Sequence, residues 1–302
     1  MPTTSMQSTI RPIPGKTCLI TGATSGIGKA AALQLARLGA QVILHGRNLE
    51  RCQTTAQRIR QEIENAKVEI AVADMSSQAQ VRRLAQEIRS QHKRLDVLVN
   101  NAGAFFLKRQ LSPDGIEMTL AVNHLGYFLL TLELLDLLKA GAPSRIINVS
   151  SSAHGAGSFD LNDINLKKRY RSWQAYGRSK LANVLFTYEL ARRLNSNHIP
   201  PVTVNALHPG YVATQIGTNN GLLAKWGVNL WHKLPFNKFP ITPEEGAQTI
   251  VYLATSPEVE GVTGKYFYEC KVANSSPLSY DSDLACKVWE ISQGLIQKPV
   301  QS

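Results

Sequence analysis

The chain has 302 residues, 43% of them hydrophobic, enough for one large α/β domain with a packed core or two small ones. A formal net charge of +11 suits contact with anions, but Lys and Arg are scattered along predicted helices without interleaved aromatics. That pattern argues against nucleic acid and for phosphate groups or an anionic membrane surface.

Four widely spaced cysteines with no Cys-x-x-Cys pair read as reduced and buried and fit a cytoplasmic chain, and seven histidines show no metal-ligand spacing. Residues 1–14, rich in Ser, Thr and Pro, read as a flexible arm without the apolar core of a signal peptide. The longest apolar stretch, Leu125 to Leu138, is broken by Thr131, Glu133 and Asp136, which is incompatible with a bilayer span and predicts a soluble or peripheral protein.

The first strand, Thr17 to Ile20, runs into Thr21-Gly22-Ala23-Thr24-Ser25-Gly26-Ile27-Gly28 and then a helix from Lys29 to Leu38. Glycine supplies the positive φ of such a turn and lets a diphosphate approach the backbone, while the free N–H groups of the helix start face the phosphates. Geometry-only glycines remain the alternative.

A second strand, Gln41 to His45, ends at Gly46-Arg47-Asn48, where an acid would select an unphosphorylated ribose. Arg47 instead favours a 2′-phosphate, hence NADP(H), or is a solvated loop residue. A charged helix (Leu49 to Asn65) and a third strand (Val68 to Ala73) lead to Asp74, placed either to touch an adenine or to cap, with Ser76 or Ser77 capping the next helix. A further helix and the strand Leu95 to Val99 end in the turn Asn100-Asn101-Ala102-Gly103. This alternation predicts a parallel, doubly wound sheet.

From Ile116 to about Lys139 one long helix is expected, with Asn123 marking either a kink or helix contact or a site residue. The strand Ser144 to Val149 delivers Ser150, Ser151 and Ser152, and the helix starting near Ser172 carries Tyr176 and Lys180 on one face, one turn apart. A sixth strand, Pro201 to Leu207, ends in His208-Pro209-Gly210. Residues 211–240 break the alternation, and a lid over an apolar pocket, a membrane contact and plain packing are all open there. A helix after Thr242, a seventh strand near Tyr266 and a last helix from Asp283 complete one domain over residues 15–295, with 296–302 as tail.

A phenol with an unperturbed pKa near 10 needs help to move protons at neutral pH, which the Lys180 ammonium would give Tyr176, while Ser151 could donate to a substrate carbonyl oxygen. Gly22 to Gly28, Asn100 to Gly103, Asn123, Ser151, Tyr176, Lys180 and Pro209-Gly210 together resemble the short-chain dehydrogenase/reductase family. The resemblance implies a Rossmann-like single domain, a seven-stranded parallel sheet with helices on both faces. It also implies a tetrad in which Tyr176 is acid/base, Lys180 lowers its pKa and holds the nicotinamide ribose, Ser151 orients the substrate oxygen and Asn123 maintains a water relay. Ser150 and Ser152 are rivals for the serine role.

By the same resemblance Ile27 lies by the diphosphate, Asn101 near the adenosine, Asp74 at adenine and Thr214 at the nicotinamide amide. Thr24, Ser25, Ala102, Gly103, Pro209 and Gly210 complete the cofactor set. Asn123 to Thr131, Val149 to His154, Ser179 to Asn183, Glu244 to Thr249 and Gly264 to Phe267 resemble the retinol dehydrogenase branch. That implies NADP(H) and a lipophilic alcohol or aldehyde of retinoid type. A general carbonyl reductase of smaller substrates and a turnover-free NADP(H) sensor or scaffold are the alternatives. A homo-oligomer through Ile116 to Lys139 and Trp173 to Asn195 is expected by family analogy.

Overall fold

The computed structural model describes residues 10–196, 201–212 and 241–297. Eight strands form one sheet: β1 (Thr17–Ile20), β2 (Gln41–Gly46), β3 (Val68–Val72), β4 (Val97–Asn100), β5 (Ser144–Val149), β6 (Val202–Leu207), β7 (Tyr266–Tyr268) and β8 (Lys271–Val272). Their spatial order is β3-β2-β1-β4-β5-β6-β7-β8. The first seven run parallel, and β8 adds an antiparallel edge pair that the sequence reading did not contain.

Both faces of the strands are apolar, because helices cover both. In β1, Leu19 points into one core and Cys18 and Ile20 into the other; β2 repeats this with Ile43 against Val42 and Leu44. The second face carries α1 (Gly26–Arg37), α2 (Leu49–Glu62) and α7 (Pro243–Thr255). The first carries α3 (Gln78–Gln91), α4 (Gly126–Glu133), α6 (Ser172–Ser196) and α8 (Ser282–Gln297), with the short α5 (Leu135–Ala140) following α4. Side-chain caps fix the starts of several: Asn48 accepts from the Arg51 N–H, Ser77 from Gln80, and Thr242 and Glu245 form a reciprocal capping box.

The long helix expected from Ile116 is broken into a helical turn (Met118–Leu120), a π turn (Ala121–Leu125), α4 and α5. Gly126 closes the π turn onto the Ala121 carbonyl and lies so close to β3's exit loop that a Cβ there would stand 2.8 Å from the Met75 carbonyl oxygen. No helix among the described residues is long and apolar enough to cross a membrane. The four cysteines are free; Cys18 and Cys52 are buried, but Cys270 and Cys286 are partly exposed, unlike the uniformly buried set expected.

Stretches of the two helices expected to meet a second subunit are buried within the chain itself. Ala175 to Thr187 of α6 and Gly126 to Thr131 of α4 are all buried, and α8 lies against them with Trp289 packed on Phe128 and Phe186 at 4.9 and 5.8 Å.

Candidate active site

The order β3-β2-β1-β4-β5 reverses direction between β1 and β4, the position at which open α/β sheets hold ligands beyond their carboxyl ends. Gly22, at φ +66°, turns the chain out of β1; a Cβ there would meet the Ala102 Cα at 2.8 Å. Gly28 is equally crowded, since a Cβ would collide with the Asn101 amide nitrogen and stand 2.5 Å from the Gly22 carbonyl oxygen. Thr21 ties these loops together: its hydroxyl donates to Val99 O and accepts from the Asn101 and Ala102 N–H groups at 2.8 and 3.0 Å.

Ser25 precedes α1 without a side-chain cap bond, so the first N–H groups of that helix, beside Gly26, Ile27 and Gly28, are not satisfied by their own N-cap. This is a cradle built for close approach of a phosphate to backbone, and a nicotinamide dinucleotide fits it. Thr24 packs at Gly46, next to exposed Arg47 at the end of β2. Behind them His45 accepts the Gly22 N–H through Nδ1 and donates from Nε2 to Ala73 O, so it is neutral, and burial pushes its pKa down to about 4. Asp74 accepts the Ser76 N–H at 2.8 Å, a local turn at the exit of β3.

Tyr176 and Ser151 are brought together, close enough for the Ser151 hydroxyl to pull the phenol pKa down. Burial nevertheless pushes the Tyr176 pKa up to about 12, and desolvation pulls Lys180 down to about 7. The Lys180 ammonium stands 5.8 Å from the Tyr176 ring centroid and donates to Val149 O at 3.0 Å. The rival serines are differently used. Ser150 is buried and donates to Lys180 O, Ser152 is exposed in a 3₁₀ turn, and the Ser151 oxygen accepts the Ala153 N–H, which leaves its own proton to donate.

The Asn123 side chain uses both of its amide hydrogens, donating to Ala104 O and Ser179 Oγ, both at 3.0 Å, and its Oδ1 accepts from Ala104 N at 2.8 Å. It staples the Asn101-Ala102-Gly103 loop to α6. Its main-chain carbonyl accepts from Asn183 Nδ2 at 2.9 Å, Asn183 Oδ1 faces His124 Nδ1, and His124 Nε2 meets Ser292 Oγ of α8 at 2.8 Å. Pro209 and Gly210 follow β6 at the same edge of the sheet; Gly210, at φ +86°, donates to His208 Nδ1. Thr214 and residues 213–240 of the expected lid lie outside the described residues.

Two features escaped the sequence reading. Trp173 and Phe105 pack on Tyr176 edge-on at 6.3 and 5.7 Å and on each other at 4.9 Å, an aromatic wall beside the phenol. Trp173 lies one helical turn before Tyr176, a spacing that could have found it. His154 receives the Ser276 N–H on Nε2 and, through Nδ1, binds Ser151 O at 2.7 Å, so a C-terminal loop reaches the serine. No sequence signal links those positions.

The short chain dehydrogenase family pattern matches residues 16–222. Retinol dehydrogenase 14 from Mus musculus is 46% identical over 294 residues, covering 93% of this chain and 86% of that protein. A crystal structure of an uncharacterised protein from Mycobacterium paratuberculosis superposes with a TM-score of 0.76 at 30% identity, covering 97% of both chains. The Pseudomonas aeruginosa RhlG/NADP active-site complex does so with a TM-score of 0.65 at 29% identity, covering 84% of this chain and 94% of that one. With this sheet order and this glycine cradle, the chain belongs to the short chain dehydrogenase family of oxidoreductases, in its retinol dehydrogenase-like branch.

Proposed function

We propose that the chain is an NADP(H)-dependent oxidoreductase passing hydride between the nicotinamide and a lipophilic primary alcohol or aldehyde, with retinol and retinal the leading pair. The observation that carries this reading is the aromatic wall of Phe105 and Trp173 against the Tyr176 phenol, beside Ser151 and opposite the glycine cradle. The retinoid named for the mouse relative supports the substrate class. Exposed Arg47 at the end of β2 supports the 2′-phosphate, as does the NADP named in the Pseudomonas complex.

Bound in this cradle, the cofactor supplies or accepts the hydride. The chain does the rest. Gly22, Thr24, Ser25, Gly26, Ile27 and Gly28 would hold the diphosphate, Arg47 would meet the 2′-phosphate, and Asp74, Asn101, Ala102 and Gly103 would line the adenosine side. Pro209 and Gly210 would face the nicotinamide, the role that the family resemblance also gives Thr214, outside the described residues. The Ser151 hydroxyl donates to the carbonyl oxygen, where charge develops, and Tyr176 gives that oxygen its proton. A phenol held near 12 is fully protonated at neutral pH, ready as an acid for reduction. Lys180 would hold the ribose and, when charged, ease loss of that proton; Asn123 offers a water relay acceptor oxygens only, since both of its amide hydrogens are used.

The test is nicotinamide absorbance with NADPH or NADH and aldehydes from short-chain to all-trans-retinal. Preferential turnover of retinal with NADPH is expected. Tyr176→Phe should lose turnover by about 10³-fold while NADPH still binds, measured by fluorescence titration. Equal use of NADH, or better turnover of short aldehydes, would sink the cofactor or substrate assignment. NADPH binding with no turnover by the unaltered chain would make it a sensor.

A further inference from the structure

Two stretches that each pack a ring on Tyr176, residues 104–113 and 164–174, hold six Lys or Arg and not one acid. They are joined into one surface. Arg109 Nε donates to Asn165 O at 2.9 Å, Tyr170 donates to Phe106 O at 2.8 Å, and Phe105 packs on Trp173. The flanking acids face inward or onto backbone: Glu117 accepts from Thr119 and Leu120 N–H, Asp163 from Lys167 and Lys168, Asp160 from Asn162 and Asp114 from Gln78. Lys108, Lys167, Lys168, Arg169 and Arg171 are left at the surface.

Among these cations stand three large apolar side chains that the fold leaves in water: Trp173 at 71% exposure, Leu107 at 54% and Leu111 at 48%. Cations alone would suit any polyanion, and a tryptophan among them could stack a base. Two exposed leucines serve neither an acidic peptide nor a nucleic acid. They gain by entering hydrocarbon, with Trp at the headgroup level and Lys and Arg against anionic lipid.

We propose that this surface docks the chain on an anionic phospholipid bilayer, with the Phe105 and Trp173 rings beside Tyr176 turned to the lipid. Phe105 and Trp173 join the two functions: the same rings that edge the docking surface touch the phenol, so a lipophilic ligand leaving the bilayer would meet protein before water. The docking itself needs neither cofactor nor turnover, so its failure and that of the proposed reaction are read separately.

The experiment sediments the full chain with vesicles of phosphatidylcholine alone or with roughly a third phosphatidylserine. Pelleting with the anionic vesicles only, weakened by added salt, is expected. The quadruple variant Lys167→Gln, Lys168→Gln, Arg169→Gln, Arg171→Gln should lower the partition coefficient at least about tenfold. Trp173→Ala should lower it too and abolish the blue shift of tryptophan emission on vesicles. Thermal melts verify folding, and Lys108→Gln, on the other stretch, gives a smaller loss in the same direction.

Absence of pelleting overturns the proposal. So does full binding by the quadruple variant, which would put the contact elsewhere, residues 213–240 included. If single-stranded RNA displaces the vesicles and Trp173→Ala and Leu107→Ser leave vesicle binding intact, the surface is a polyanion site and not a membrane face.

Discussion

Lys180 carries the sharpest conflict between stability and chemistry. It is 2% exposed, its one described hydrogen bond is to Val149 O, and burial holds its pKa near 7 against an ordinary value of 10.5. Between those two values the unfolded chain binds a proton that the folded chain does not, so stability rises with pH across that window and the full penalty stands below it. Lys180→Met removes the penalty. It should stabilise the cofactor-free protein by about 1–3 kcal/mol at pH 7, and by less at pH 10, while abolishing turnover; urea denaturation at the two pH values measures the difference. A variant less stable than the parent at pH 7 would mean that the lost bond to Val149 outweighs the relieved desolvation.

At the scale of elements, what the sequence announced was what local rules dictate. Strands buried on both faces, glycine turns at β1 and the Pro243 helix start follow from nearest neighbours in the chain, and they were legible. The eighth strand was not, because its turn is Glu269-Cys270 with both residues at positive φ, +49° and +60°, where a hairpin ordinarily advertises Asn-Gly. The double change Glu269→Asn, Cys270→Gly supplies residues suited to that conformation and should stabilise the protein by about 1 kcal/mol, read from the denaturation midpoint. The π turn was hidden for another reason. It is set by contact between Gly126 and Met75, which is distant in sequence, and by Asn123 bonding the Ala104 peptide. Within the site, Tyr176 and Lys180 could be paired from helix geometry alone, whereas the bond from Ser276 to His154, which itself binds Ser151, joins residues 122 positions apart.

For the molecule as a whole, its buried histidines set the acid limit. His45 and His124, both within the interior and both pushed down to about 4, stay neutral when folded yet would protonate near 6.5 once unfolded. Between those values these two rings alone give the unfolded chain two more protons, so stability falls as pH drops from 6.5 towards 4, by up to about 2.7 kcal/mol per pH unit, and His154 and His208, also pushed down by burial, act in the same direction. Urea midpoints at pH 7, 6 and 5 should decline accordingly; a flat profile would mean that the buried rings are charged in the fold. His124 also joins Ser292 of α8, through Asn183, to the carbonyl of Asn123. Because that helix belongs to the same polypeptide, the scaffolding of Asn123 is complete in one chain. Diluting the enzyme from micromolar to nanomolar should then leave its activity per molecule unchanged, with no lag on re-concentration.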